Sequence, residues 1–425
     1  MLLTYAVENY KGIATKQTIN FIATQKNEFE QHLVNITSAL RVNTGACIVG
    51  ANGTGKTHLL ESLNRLSDFV GQSPRNLKVE PFILDYDSKD KPTTFEVLLY
   101  SESLKELLSY SLSIFKQEVV SESLYAKSLE KGAQSRKIFE RNDSGVKFNS
   151  KFKSSETLVN STVDSGSTLI SYAKGLKVQQ LKETYDILRG IFMFSPMQVK
   201  AIGPEFINFL LFRDGKVNSE NQDKLSKLRN DLLDFSVLLL KSYDIPISDI
   251  EIKTKESGEN YLIITPKTLN DNVLNLTFSE ARDYYSEGTF NTILLVILIS
   301  LMSNGKRILL LDEIDGSLHH RLSLELIKMM RNSHKDINTQ FILSTHDIML
   351  LDNEFRRDSI FITSKDDKLE TIISRVSDFS LRKDAKISAK YLADEFGALP
   401  KILTDESEKI LSEISEFSME SSEND

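Results

Sequence analysis

A single cysteine, Cys47, in 425 residues excludes an internal disulfide framework. Its place inside an apolar run makes it a small core residue rather than a reactive one. Long hydrophobic runs are missing too: the longest, Ile293 to Met302, is interrupted by Ser300 and falls well short of the roughly 18 residues a membrane span requires. The opening Met1-Leu2-Leu3-Thr4-Tyr5-Ala6-Val7 has neither a basic n-region nor a small-residue cleavage site, so no signal peptide is expected. These deficits together point to the cytoplasm and to no membrane partner. No heptad seam persists for the three or four heptads of a long coiled coil, and no internal repeat is visible. Basic residues are outnumbered, 52 against 60, and the net charge of -8 argues against a broadly basic DNA-wrapping surface while leaving room for a local patch. What remains is a soluble chain, 40% hydrophobic and 26% charged, long enough for a large core and two structural units.

Against that background stands Gly50-Ala51-Asn52-Gly53-Thr54-Gly55-Lys56-Thr57, which fits the phosphate-binding loop G-x-x-x-x-G-K-[ST] without mismatch. The context is the required one. Ala46-Cys47-Ile48-Val49 is a short apolar strand entering the glycines, and His58 to Phe69 reads as a helix leaving them. In that geometry the backbone N–H groups of Asn52, Gly53, Thr54, Gly55 and Lys56, together with the start of the helix around His58, cradle the phosphates. Lys56 reaches the β- and γ-phosphates, and the Thr57 hydroxyl holds Mg2+. A nucleoside triphosphate, ATP, is the expected cofactor.

The rest of the chain predicts an α/β fold. Leu3, Tyr5 and Val7 alternate as a strand, followed by a turn at Glu8-Asn9-Tyr10-Lys11-Gly12, and this strand is expected to pack beside the phosphate-loop strand. Phe95 to Tyr100 and Leu108 to Ile114 have the period of two of half-buried antiparallel strands. Lys116 to Ser167, rich in Ser, Lys, Glu and Gly, reads as exposed strands and loops. Helices are expected at Leu181 to Arg189 and Gln222 to Ser242, on either side of a short apolar strand, Ile191 to Pro196. Asn291 to Ser303 reads as an apolar helix, and Arg307 to Leu311 and Gln340 to Leu343 as buried parallel strands. The chain divides accordingly into an N-terminal ATPase lobe (1–115), a variable insertion (116–190), a helical lobe (191–290), a C-terminal ATPase lobe (291–403) and an acidic tail (404–425).

Both parallel strands end in polar residues, at the carboxyl ends where open α/β sheets place ligands. Asp312 after the first would ligate Mg2+ through water, and Glu313 would orient and deprotonate the attacking water. His346, after the second, could donate a hydrogen bond to a γ-phosphate oxygen and so sense an intact nucleotide. His319 and His320 are adjacent, point to different faces and lack a completing carboxylate or cysteine, so they read as loop residues at a subunit boundary rather than metal ligands. Tyr285-Ser286-Glu287-Gly288-Thr289 precedes the apolar helix. Alone it is an equally good turn. Its order among the other motifs strengthens its resemblance to the Ser-x-Gly signature of ATP-binding-cassette ATPases, which implies that the Ser286 hydroxyl, the Gly288 backbone and a helix N-terminus cap the γ-phosphate of ATP held by another subunit.

The set Gly50–Thr57, Ser286–Gly288, Leu309–Glu313 and Ser344–His346 resembles the RecF, SMC and OLD branch of ATP-binding-cassette ATPases. The resemblance implies an ABC-ATPase head: a mixed sheet around the phosphate loop, an antiparallel β subdomain and a helical signature lobe. Ile314-Asp315-Gly316-Ser317-Leu318-His319 departs from transporter subunits, which carry proline after the glutamate and end in aspartate. Val7-Glu8-Asn9-Tyr10-Lys11-Gly12-Ile13 is similar to the branch's opening and would place Lys11 near the nucleotide. Phe192 to Gln198 is similar to the segment carrying the glutamine-loop residue, which makes Gln198 a further metal-site candidate. Phe355 to Phe361, Arg382-Lys383-Asp384 and Phe396 to Pro400 resemble small AAA-family ATPases of abortive-infection systems such as AbiL.

That resemblance implies a sensor or regulatory ATPase of anti-phage defence that forms a homodimer or larger oligomer and controls a separate effector, a nuclease or toxin. A RecF-like repair ATPase and a transporter subunit are the competing readings, and nucleic acid stays open as a partner. The stretch after Asp347 is shorter than a typical domain and has no Asp-x-Asp after a strand, so any nuclease is expected on another protein.

Overall fold

The computed structural model describes all residues except 27, 72–77, 196–218, 257–259, 271, 303–306, 316–317, 333–338, 383, 401–405 and 415–425. The chain opens with β1 (Leu2–Glu8), β2 (Gln17–Asn20), β3 (Leu33–Asn35) and β4 (Arg41–Asn43), then β5 (Gly45–Gly50) feeds α1 (Lys56–Gly71). Hairpins follow: β6 (Thr93–Ser101), β7 (Glu106–Phe115), β8 (Glu118–Ser128), β9 (Arg136–Asn142) and β10 (Gly145–Phe148). Two helices, α2 (Lys153–Thr162) and α3 (Gln179–Arg189), lead to β11 (Ile191–Phe194). The next stretch comprises α4 (Ser219–Ser242), β12 (Ile247–Thr254), β13 (Asn260–Pro266), β14 (Leu276–Thr277), α5 (Phe278–Tyr284) and α6 (Glu287–Met302). Last come β15 (Ile308–Leu311), α7 (His320–Asn332), β16 (Gln340–Ser344), α8 (Leu350–Asn353), β17 (Ile360–Lys365), β18 (Thr371–Arg375) and α9 (Ile387–Leu392).

Two large sheets organise these elements. A six-stranded sheet in the order β11-β15-β16-β5-β17-β18 is parallel except for its last strand. Both of its faces are covered. Ile308 and Leu310 of β15, with Ala46 and Ile48 of β5, enter the core shared with α1 and the other sheet. Leu309 and Leu311, with Cys47 and Val49, enter the core shared with α4, α6 and α7. This two-sided burial is why these strands read as continuous apolar runs. It is also why α6 is apolar all round: Ile293 through Ile299 are all buried.

The seven-stranded sheet, ordered β10-β9-β8-β7-β6-β1-β2, is antiparallel throughout. Its alternate residues face α1: Phe95, Val97 and Leu99 of β6 and Leu108, Tyr110, Leu112 and Ile114 of β7 are buried. β1 belongs here, pairing with β2 and β6, and not beside β5 as its position before the phosphate loop suggested. β5 is flanked instead by β16 and β17. A second correction concerns 116–167. The 115/116 limit falls inside the β7–β8 hairpin, and Val119, Glu122, Leu124 and Ala126 of β8 are buried in the same core as β6 and β7. Glu122 is the unexpected member. It accepts hydrogen bonds from the Tyr110 hydroxyl (2.9 Å) and from the N–H groups of Leu169 (2.7 Å) and Ile170 (3.1 Å), with Arg141 at 3.6 Å. Those partners let a carboxylate sit in a core and tie the 169–170 turn to the sheet.

Candidate nucleotide site

β5 delivers the phosphate loop to the carboxyl edge of the parallel sheet, where α1 begins at Lys56. Gly53 and Gly55 adopt left-handed φ of 77° and 101°. Around Gly53 a side chain would meet open space, whereas at Gly55 it would come within 2.2 Å of Thr371 Oγ1. The loop is therefore open at its crest and tightly backed at its base. Asn52 and Gly53 are exposed at the crest; Thr54, Gly55 and Lys56 are buried. Lys56 Nζ donates to the carbonyls of Gly50 (2.8 Å) and Ala51 (3.1 Å), which holds the ammonium inside the curl of the loop. Burial pushes the Lys56 ammonium down, against the opposing pull of Glu313, Asp312 and Asp315. The Thr54 hydroxyl donates to Ala51 O (2.8 Å) and lies 2.7 Å from Thr363 Oγ1 on β17.

The acids come from two strands away. β15 ends at Leu311, and the buried Asp312 accepts a hydrogen bond from the Ser344 side chain, while the Thr57 hydroxyl stands close enough to favour its charged form. The Ser344 hydroxyl donates to Asp312 Oδ1 (2.6 Å) and accepts from the Glu313 N–H (2.8 Å). One serine at the end of β16 thus orients both acids. Burial pushes the Asp312 carboxyl up, Glu313 adds to this, and the bond from Ser344 and the nearby Thr57 hydroxyl oppose it. Glu313 is exposed and has a left-handed φ of 48°, a conformation that side chains seldom adopt and that its bond to Ser344 supports.

His346 lies in the loop after β16 with its imidazole exposed, and its backbone N–H donates to Asp315 Oδ2 (2.9 Å). His58 flanks the loop in the first turn of α1, accepting from the Gly12 N–H (3.3 Å). Lys11 is near α1 but its ammonium is tied to Glu61 (2.6 Å) and Glu80 (3.5 Å) rather than extended toward the phosphate loop. Ser286 and Gly288 stand at the start of α6, where Ser286 caps the helix by accepting from the Thr289 N–H (3.3 Å), and Ser286 is exposed. Gln198 lies outside the described residues. His320 opens α7 and contacts Asp347 through Nδ1, so it is a helix residue with a partner, not a loop residue; His319 beside it is exposed.

The donor set fits a hydrated Mg2+ and a triphosphate. Thr57 and Asp312 present a hydroxyl and a carboxylate near enough for the one to favour the charge on the other, the number of protein oxygens that Mg2+ takes when phosphate and water fill the remaining positions. Ser344, Asp315, Thr363 and Thr371 carried no role in the spacing argument, yet they touch the site's backbone or acids. For Ser344 the signal was present: a lone hydroxyl closing an apolar strand one place from the paired acids' strand.

No curated protein matches this chain. Among solved structures it is similar to an SMC head bound to the C-winged helix domain of ScpA, at 12% identity and a TM-score of 0.48 over 89% of this chain and 99% of that one. It is similar also to an SMC head with a coiled coil and joint from Pyrococcus yayanosii (10%, 0.46, over 93% and 99%). A third is a dimeric ATP-binding cassette bound to ADP and Pi (12%, 0.32, over 88% and 98%). A family model described as "AAA domain, putative AbiEii toxin, Type IV TA system" matches residues 46–352, well over half of the chain. That span takes in the phosphate loop, the signature turn, the paired acids and His346, and the chain belongs to this family of AAA domains.

Proposed function

We propose that the chain binds and hydrolyses ATP as an ABC-type ATPase, and that it uses the ATP cycle to control a separate effector in an anti-phage defence system. The observation that carries the first part is the Ser344 bridge, whose hydroxyl donates to Asp312 Oδ1 (2.6 Å) and accepts from the Glu313 N–H (2.8 Å), setting both acids in the field that reaches Lys56 of the phosphate loop. Residues from β5, β15 and β16, far apart in sequence, meet there in the order a phosphate-loop ATPase needs. When bound, Mg2+ would neutralise charge on the β- and γ-phosphates. Lys56 would leave its loop carbonyls for phosphate oxygens, and Thr57 and Asp312 would hold the metal. Glu313, exposed at the site, would orient the attacking water and take its proton.

Dimerisation is the natural consequence of where the signature lies. Ser286 and Gly288 cap an exposed helix start and have only local hydrogen bonds, so a second copy can bring them to a γ-phosphate. Closing the dimer on ATP would change the surface an effector reads, by differential affinity for the two states. The defence assignment rests on the family, whose description names a toxin of a toxin–antitoxin system, and on the AbiL-like C-terminal motifs.

Mixing variants tests the composite site. A Lys56→Ala chain combined with a Ser286→Arg chain leaves one intact site per heterodimer, so partial recovery of hydrolysis is expected; no recovery would count against completion in trans. Expressed with its neighbouring gene, the wild type should restrict phage and Glu313→Gln should not. Binding to DNA ends with a steep salt dependence, without protection, would favour the repair reading instead.

A further inference from the structure

The loops after β15 and β16 remain bonded to each other beyond the end of the sheet. Ser344 Oγ joins Asp312 and Glu313, the Ile314 N–H reaches Ser344 O (3.3 Å), and Asp315 Oδ2 accepts from the His346 N–H (2.9 Å). His320, the first residue of α7, and Asp347, next to His346, add a side-chain contact. This ladder spans the segment carrying Glu313 and the segment carrying His346. Its central rung differs from the others. The His346 imidazole is exposed and takes its place from its backbone, and that backbone is held by a charged acceptor rather than by a sheet partner. Asp315 itself sits among the carboxylates whose field reaches Lys56, and its Oδ1 is buried without a hydrogen-bond partner among the described residues.

We infer that Asp315 is a positioning residue for hydrolysis: its carboxylate fixes the backbone at His346, and thereby sets the exposed imidazole in register with Glu313 at the γ-phosphate end of the site. This rests on the ATPase reading above and adds a residue to it. A carboxylate with one oxygen buried and without a partner among the described residues is costly to retain unless the bond its other oxygen makes is needed, since that Oδ1 forfeits the hydrogen bonds it would have in water. Asp315 does not touch the phosphate loop by any hydrogen bond, so nucleotide affinity should be nearly independent of it, whereas turnover should not.

The test measures ATP-analogue affinity and steady-state hydrolysis for Asp315→Ala, Asp315→Asn and His346→Ala in the full chain, alone and combined. Asp315→Ala should lose about tenfold in kcat, the equivalent of one charge-assisted hydrogen bond, with analogue affinity within about twofold of wild type. Asp315→Asn keeps an acceptor oxygen and should recover most of that loss. In a His346→Ala background, Asp315→Ala should cost nothing further, because the two act as one unit. Wild-type turnover in Asp315→Ala, equal losses of affinity and turnover, or full additivity with His346→Ala would each overturn the inference. A wild-type protein that binds no ATP would instead overturn the ATPase reading itself.

Discussion

The two large sheets of this protein bury similar cores by opposite means. The antiparallel sheet grows by hairpins from β6 to β10 and from β1 to β2, joined by the pairing of β1 with β6, and buried and half-buried positions alternate along the whole length of β6. The parallel sheet takes strands from positions 45 to 365, buries both faces of each, and leaves only its carboxyl edge free for polar groups. Buried polar groups follow the same division. In the antiparallel sheet Glu122 is enclosed and fully bonded, a clamp within the core. At the parallel edge Lys56, Asp312 and Glu313 sit at loop ends with bonds that a ligand can replace. Charge in one sheet serves architecture; in the other, on the function proposed above, it serves chemistry.

The largest break in that comparison should come at the parallel edge. Glu313→Gln is expected to lower kcat for ATP hydrolysis by roughly 10²- to 10⁴-fold, the range for removing a general base, while binding ATP and unfolding like wild type. Lys56→Ala should lose nucleotide binding as well, read by direct titration. Glu122→Ala is expected to do the reverse, costing about 3 to 5 kcal/mol in denaturant unfolding by leaving Arg141 without its buried counter-charge and two backbone N–H groups without their acceptor. The ATP affinity of its folded fraction should be unchanged; a selective loss of binding would mean the two sheets are not as independent as they look.

The amino edge of the parallel sheet sharpens the contrast, because its charges are structural. His32 accepts at its backbone carbonyl from the Thr44 N–H and hydroxyl just before β5, and burial, followed by the charges of Arg331 and Arg356, pushes its imidazole down to about 3. An imidazole depressed from 6.5 cannot take in the folded state the proton it takes when unfolded. Stability is therefore complete above about pH 6.5 and falls as the pH drops toward 3. Melting curves at pH 7 and pH 5 should show a smaller acid loss for His32→Gln than for wild type. The smallest effect belongs to the outer face of the antiparallel sheet. Lys16 and Glu96 form a 2.6 Å ion pair with both side chains more than 40% exposed, and Lys16→Ala should shift stability by less than about 1 kcal/mol, vanishing in high salt.

Local spacing was sufficient for much of this. The phosphate loop is a contiguous eight-residue pattern whose glycines and lysine have only one common use, and the period of two in β6 and β7, the unbroken apolar runs of β11, β15 and β16, and the apolar α6 each report their own burial directly. Partners are another matter. A period of two states which face a strand buries but not against which strand, so β1 could be recognised as a strand and still be placed beside the wrong sheet. Glu122 looks like a surface residue because its neutralising partners lie up to 48 positions away. Lys11 has the sequence of a nucleotide contact, and only the packing of the opening turn against α1 gives it to Glu61. Ser344, Asp315, Thr363 and Thr371 acquire their places at the site because β16 runs between β15 and β5, with β17 beside β5 and β18 beside β17, a juxtaposition set by the whole sheet order. Residue type and short-range period determined what each segment could do; the tertiary fold decided which segments meet, since a hydrogen bond across hundreds of residues leaves no trace in the spacing of either end.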